Sequence, residues 1–150
     1  MSFSANERRK YPRVYFDIEK MPQAHILIPR YEGVMCVVCV MNMSKQGLGF
    51  IMAKDQNITI NKGDHTVISK FQRDDRLKDI QHVYIVVRWT IENKELEHNI
   101  YGCEFLNMPS NFQFLLNTFI DQIIADKIES SARYEAEPGN QLYDQEGENQ

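Results

Sequence analysis

Three cysteines occur in 150 residues, an odd number that argues against a disulfide framework. No run of about 18 apolar residues exists, so no transmembrane helix is predicted. Arg8-Arg9 is followed by Lys10-Tyr11-Pro12-Arg13 instead of an apolar stretch, which excludes a twin-arginine export signal. The chain therefore reads as cytoplasmic. Metal chemistry also finds little to work with. Cys36 and Cys39 stand three apart in a β-like run, so on a strand their thiols point to opposite faces and do not converge. His25, His65, His82 and His98 are scattered, with no second ligand pair at zinc-like spacing. Structural cysteine is the better reading. Ser44 lies in no nucleophile elbow, and no carboxylate pair stands out as an acid–base set. The sequence thus predicts no catalytic residue, no metal site, no cofactor and no enzyme. Internal repeats are lacking too.

What is present is an uneven distribution of charge. The formal net charge is −4. Residues 129–150 carry six acids against Arg133, for −5, which leaves +1 over residues 1–128. Within the latter, Glu7–Arg13 holds four bases and one acid, or +3. Positive charge concentrated at the front of a nearly neutral domain suits a small anion better than a long polyanion.

The hydrophobic pattern predicts one domain, since 43% hydrophobic content is enough for a single core. Residues 1–13 lack any apolar period and read as a flexible basic arm. Val14–Ile18, Ala24–Ile28, Gly47–Met52, His65–Phe71, Val83–Ile91 and Asn99–Leu106 read as strands between turn signals. Val34–Met41 is a continuous apolar run with four valines, expected as a strand covered on both faces. The period then changes. Phe112, Leu115, Leu116, Phe119, Ile120, Ile123, Ile124 and Ile128 form the stripe of an amphipathic helix, with Ser110 or Asn111 as N-cap. Past Ile128, scattered acids and Pro138-Gly139-Asn140 predict a disordered tail over 129–150. Six or seven short strands and one helix imply a mainly β protein: a small antiparallel barrel with the helix across an opening or face.

Two short elements carry the chemistry. Arg9 and Arg13 stand four apart, and Asn42-Met43-Ser44-Lys45-Gln46-Gly47 begins 29 residues after Arg13. Guanidiniums offer bidentate donors for phosphates and for the acceptor edge of guanine. An amide, a hydroxyl and a glycine in one turn offer small polar contacts and close backbone approach. Pro12 disfavours a helical Tyr11, so the arginines belong to an extended or looped arm.

These elements resemble the RxxxR and (D/N)xSxxG signatures of the PilZ domain family, bacterial receptors for cyclic di-GMP. The resemblance continues in Val86-Val87-Arg88-Trp89 and Gly102-Cys103-Glu104-Phe105, similar to a late strand pair of that family, and so spans roughly Glu7 to Ile128. It implies a six-stranded, split-barrel-like antiparallel β-barrel over 14–128 with a C-terminal helix. It also implies cyclic di-GMP binding by Arg8, Arg9, Arg13, Asn42, Ser44 and Gly47, with Lys10, Arg88 and Trp89 as further candidates. In the family a basic residue before the first signature arginine tends to accompany an intercalated ligand pair, so Arg8 implies two molecules per chain. Asn42 Oδ1 and Ser44 Oγ would accept from guanine N1 and N2. If Arg88 and Trp89 alternate across the sheet, only one of them faces the ligand.

The expected function is a cytoplasmic receptor whose basic arm closes on the nucleotide and whose bound state is read by a protein effector. Two other readings stand beside it. One is a PilZ-like interaction module without nucleotide binding. The other is a nucleic-acid-binding barrel, which the +1 over residues 1–128 and the acidic tail disfavour.

Overall fold

In a computed structural model of the protein, residues 11–28, 30–54, 58–92 and 94–136 are described. Seven strands precede the helix: β1 (Val14–Tyr15), β2 (Gln23–Leu27), β3 (Met35–Met43), β4 (Gly47–Ala53), β5 (His65–Gln72), β6 (Gln81–Ile91) and β7 (His98–Leu106). The helix, α1, spans Ser110–Ala136. Every pairing is antiparallel, and β3, β2, β5, β6, β7 and β4 follow one another until β4 returns to β3. The result is a closed six-stranded barrel, which leaves no long edge exposed to other chains. β1 lies outside this ring. It pairs with Asn42 and Met43, on the stretch of β3 beyond its last β2 partner, Cys39.

A closed barrel has one interior, so only alternate residues of a strand can reach it. β3 obeys this rule despite its unbroken apolar sequence. Cys36, Val38, Val40 and Met43 are buried, whereas Met35 and Val37 are 46% and 43% exposed. The expectation that this strand is covered on both faces is corrected accordingly. The first strand is also shorter than predicted: a 3-10 turn begins at Ile18, which is 84% exposed. Phe50 and Tyr101 stack inside the barrel with centroids 5.1 Å apart. Burial pushes the inward Cys103 thiol up to about 12, so it stays protonated and behaves as a small apolar group.

The ladder shifts register at three places, each leaving one residue over and moving the inward–outward phase of its strand by one. In β5, His25 faces Lys70 and Ile26 faces Ile68, leaving Ser69 over. In β3, Val40 faces Phe50 but the next partners are Asn42 and Gly49, leaving Met41 as the extra residue. In β6, Val87 faces Cys103 and Trp89 faces Gly102, leaving Arg88 over. If Met41 and Arg88 took regular places in the pleat instead of bulging, strict alternation would turn Asn42 and Trp89 toward the core.

The chain divides into two compact units, Met1–Ile120 and Asp121–Gln150. In the first, the opening turns of α1 bury Leu116, Phe119 and Ile120. Phe16 stacks on Phe119 at 6.1 Å, and the Arg76 guanidinium lies 4.8 Å from the same ring. In the second unit the helix continues to Ala136. The boundary expected at residue 129 therefore falls inside the helix, and residues 137–150 of the expected tail lie outside the described residues. Ile128, placed in the apolar stripe, is 65% exposed.

An ion pair braces one end of the barrel. Arg30 donates to Asp64 at 2.9 Å and to the Thr59 carbonyl at 2.9 Å. Burial alone would raise the Asp64 carboxyl, but the Arg30 guanidinium and the Asn61 amide together hold it below the usual carboxylate range.

Candidate functional site

The signature elements meet on the outside of the barrel. Val14 is buried and Tyr15 is half-exposed, so β1 presents Tyr15 outward and, by period two, Arg13 with it. Arg13 Nη1 donates to Asn42 Oδ1 at 2.6 Å. The bulge at Met41 makes this contact possible by directing Asn42 outward on a strand whose neighbours Val40 and Met43 point inward. Asn42 itself is only 3% exposed. Its acceptor therefore orients the arginine, and a buried amide carbonyl gains the charge-assisted partner that it needs.

Ser44 is equally buried, at 3%. Its Oγ accepts from the backbone N–H of Gln46 at 3.1 Å and of Gly47 at 3.3 Å, while the Ser44 N–H donates to the Gly47 carbonyl at 2.8 Å. The hydroxyl thus shapes the turn between β3 and β4, as serine does in side-chain-closed turns. The Phe105 N–H then ties the turn to β7 through the Gln46 carbonyl at 2.8 Å. Gly47 sits where β4 comes closest to β7: a Cβ there would overlap the Cys103 carbonyl oxygen. Gly47 is required for this close approach.

Strand register extends the site across the sheet. Tyr15 faces Asn42, Asn42 faces Gly49, Gly49 faces Gly102, and Gly102 faces Trp89. Residues directly opposite on paired strands share a face, so these five positions form one outward row over β1, β3, β4, β7 and β6. At about 4.8 Å per strand, Asn42 and Trp89 stand about 14 Å apart, a span suited to a dinucleotide. Neither glycine leaves an open floor. A Cβ at Gly49 would come within 2.8 Å of the Asn42 amide nitrogen, and one at Gly102 would fall inside the Trp89 indole. Asn42 and Trp89 thus lean inward over the two glycines.

Arg88 and Trp89 do not alternate. The bulge leaves both exposed, correcting the expectation that only one could reach the outer face. Arg88 Nε donates to Glu104 Oε1 at 2.8 Å, with side chains 58% and 47% exposed. Glu104 lies two residues from Gly102 on β7, on the same face, so the ion pair stands beside the indole.

Of the predicted site residues, Arg13, Asn42, Ser44, Gly47, Arg88 and Trp89 thus gather on one face, with Ser44 and Gly47 as framework. Arg8, Arg9 and Lys10 lie outside the described residues. Sequence reasoning missed Tyr15, Gly49, Gly102 and Glu104 as parts of the site. A glycine inside a strand signals close approach by another group, and that signal was available at Gly49 and Gly102. Among the described residues, no three His, Cys, Asp or Glu converge as a metal-binding group, and no helix is long and apolar enough to cross a membrane.

Comparison with solved structures finds the same architecture. The complex of MrkH from K. pneumonia with c-di-GMP aligns at a TM-score of 0.67 with 12% identity, covering 82% of this chain and 55% of that one. The PilZ domain of YcgR from Escherichia coli with c-di-GMP aligns at 0.59 with 14% identity, covering 83% and 98%. The Bacillus subtilis inhibitor of motility, MotI/DgrA, aligns at 0.58 with 15% identity, covering 81% and 52%. The chain spans about half of the MrkH and MotI chains and nearly all of the YcgR domain. No curated protein matches. The PilZ domain family model matches residues 7–122, a span that takes in Arg13, the β3–β4 turn, the β6 bulge and the buried start of the helix, and the chain belongs to the PilZ domain family.

Proposed function

We propose that this protein is a receptor for cyclic di-GMP, a binding module rather than a catalyst, and that it acts in the cytoplasm through a protein effector. The observation that carries this reading is the 2.6 Å hydrogen bond from Arg13 to the buried Asn42, which joins two elements 29 residues apart into one outward-facing donor site. Family membership and the cyclic di-GMP complexes of MrkH and YcgR support the choice of ligand.

Arg13, oriented by Asn42, serves as a guanidinium donor to a phosphate or to guanine O6 and N7. Arg9, Arg8 and Lys10, from the basic segment before it, add positive charge around the ligand phosphates. Ser44 and Gly47 keep the turn that fixes Asn42. Trp89 offers a plane for a guanine, and Arg88 stands beside it. Binding favours the conformation in which the segment before Arg13 contacts the nucleotide, and that differential affinity supplies the switching energy. Arg8 would balance the charge of a second, stacked dinucleotide, giving two ligand molecules per chain.

Titration calorimetry of the full chain with cyclic di-GMP tests this directly. The expected result is saturable binding at two molecules per chain, falling to one in Arg8→Leu. A flat wild-type titration overturns the receptor reading, whereas a wild-type ratio of one removes only the role given to Arg8.

A further inference from the structure

The Trp89 indole has no interior to occupy. The β6 bulge turns it out of the barrel, where it keeps 37% exposure. An outward tryptophan on a strand ordinarily stands away from the sheet. Here the indole crosses onto β7, because the residue opposite it is Gly102. A Cβ built on Gly102 falls against Cε2, Nε1 and Cζ2, atoms along the shared edge and the rim of the indole. The ring therefore lies on the β7 backbone itself, at the depth where any side chain would begin. The Arg88–Glu104 ion pair stands beside it and spans the same two strands.

We propose that Gly102 is a positioning residue for ligand binding: by lacking a side chain, it lets the Trp89 indole lie against β7 and offer its outer face as a fixed stacking plane for a purine base. The inference rests on the cyclic di-GMP reading given above and adds to it the device that makes the aromatic plane available. Preorganisation is the physical gain. An indole held against backbone has lost its rotamer freedom before the ligand arrives, so less ordering is left to offset the stacking. Gly102→Ala lifts the ring off the strand and returns it to solvent. The loss should match that of deleting the ring, because both changes remove the same plane.

The test is a double-mutant cycle on the full chain, read by calorimetry with cyclic di-GMP and by intrinsic emission. Trp89 is the single tryptophan, so emission reports this ring alone. Base–aromatic stacking corresponds to roughly tenfold in affinity. Trp89→Ala and Gly102→Ala should each weaken binding by about that factor, and the double variant by no more than either alone. Gly102→Ala without ligand should also shift emission to the red. Should Gly102→Ala fail to fold, the double variant should fold again, because removing the indole vacates the space that the new methyl needs. Wild-type affinity in Gly102→Ala, multiplicative losses in the double variant, or failure of both variants to fold would each overturn the proposal. The two readings fail separately. If the wild-type chain binds no cyclic di-GMP, the receptor reading and the ligand role given to Gly102 both fall, while the emission shift still reports whether Gly102 seats the ring.

Discussion

The two ends of the outward row are built on opposite terms. At the β3–β4 end, the polar groups are buried and already engaged: Asn42 with Arg13, and Ser44 with the turn that it closes. At the β6–β7 end, Arg88, Glu104 and Trp89 face solvent. The first end couples binding to stability, because a group removed there strands a desolvated partner. The second end can change its contacts at little cost to the fold, because water solvates whatever is released. A ligand lying across both would meet buried, framework-held polar groups at one end, and at the other the seated Trp89 beside an exposed ion pair.

Substitutions should separate the two ends by size of effect. The largest is expected at Gly47→Val, whose side chain meets the Cys103 carbonyl on the neighbouring strand. Urea unfolding should show a loss at or above the upper end of the about 1–3 kcal/mol typical of overpacking. A variant as stable as wild type would mean that β4 can move away from β7 freely.

Arg13→Ala comes next and should act on both stability and affinity. It leaves the Asn42 carbonyl buried without its guanidinium, which costs about 1–3 kcal/mol of stability, and it should weaken cyclic di-GMP at least roughly tenfold, from the loss of a charge-assisted contact. Paired thermal melts and titrations would check this, and an unchanged melting curve would place Arg13 among the solvated groups instead. Ser44→Ala removes the acceptor for two backbone N–H groups and should lower stability by about 1 kcal/mol, with a smaller loss of affinity transmitted through Asn42. If affinity fell while stability held, the hydroxyl would be touching ligand rather than shaping the turn.

The smallest effect should come from Arg88→Ala with Glu104→Ala. Their exposed ion pair should contribute at most about 0.5 kcal/mol, measured as the coupling energy in a double-mutant cycle of unfolding. A coupling well above that would show that the second end is held no less firmly than the first.

Much of this arrangement was legible in the sequence. Period-two runs and a change to helical period gave the barrel strands and α1, whereas the direct bond from Arg13 to Asn42 was not predicted. What escaped were features decided between strands rather than along them. The apolar run at Val34–Met41 looked buried on both faces, because composition cannot say that a closed sheet has only one interior. Arg88 and Trp89 looked like an alternating pair, because a bulge is set by the register with β7. The helix outlasts its apolar stripe, since backbone hydrogen bonds can propagate past the last apolar residue that the period marks. Ser44 looked like a ligand contact from its hydroxyl alone, and that its oxygen also closes its own turn is decided by the backbone around it.

The bulges at Met41 and Arg88 also change what kind of variation this protein can absorb. Each sits directly ahead of a side chain on which the outward face depends. Removing either residue would let the ladder run on without a break, because Val40 and Asn42 already face the consecutive residues Phe50 and Gly49, and Val87 and Trp89 already face Cys103 and Gly102. Deletion of Met41 would leave Asn42 outward and Met43 inward, and deletion of Arg88 would leave Trp89 outward over Gly102. The inversion comes instead if the spacer is drawn into the regular pleat, which pushes the next residue to the other face. What these two places guard is therefore the bulge and not the count of residues: loss of a spacer costs the local twist and bend that it supplies, whereas ironing the bulge out with the spacer kept exchanges inside for outside up to the next turn.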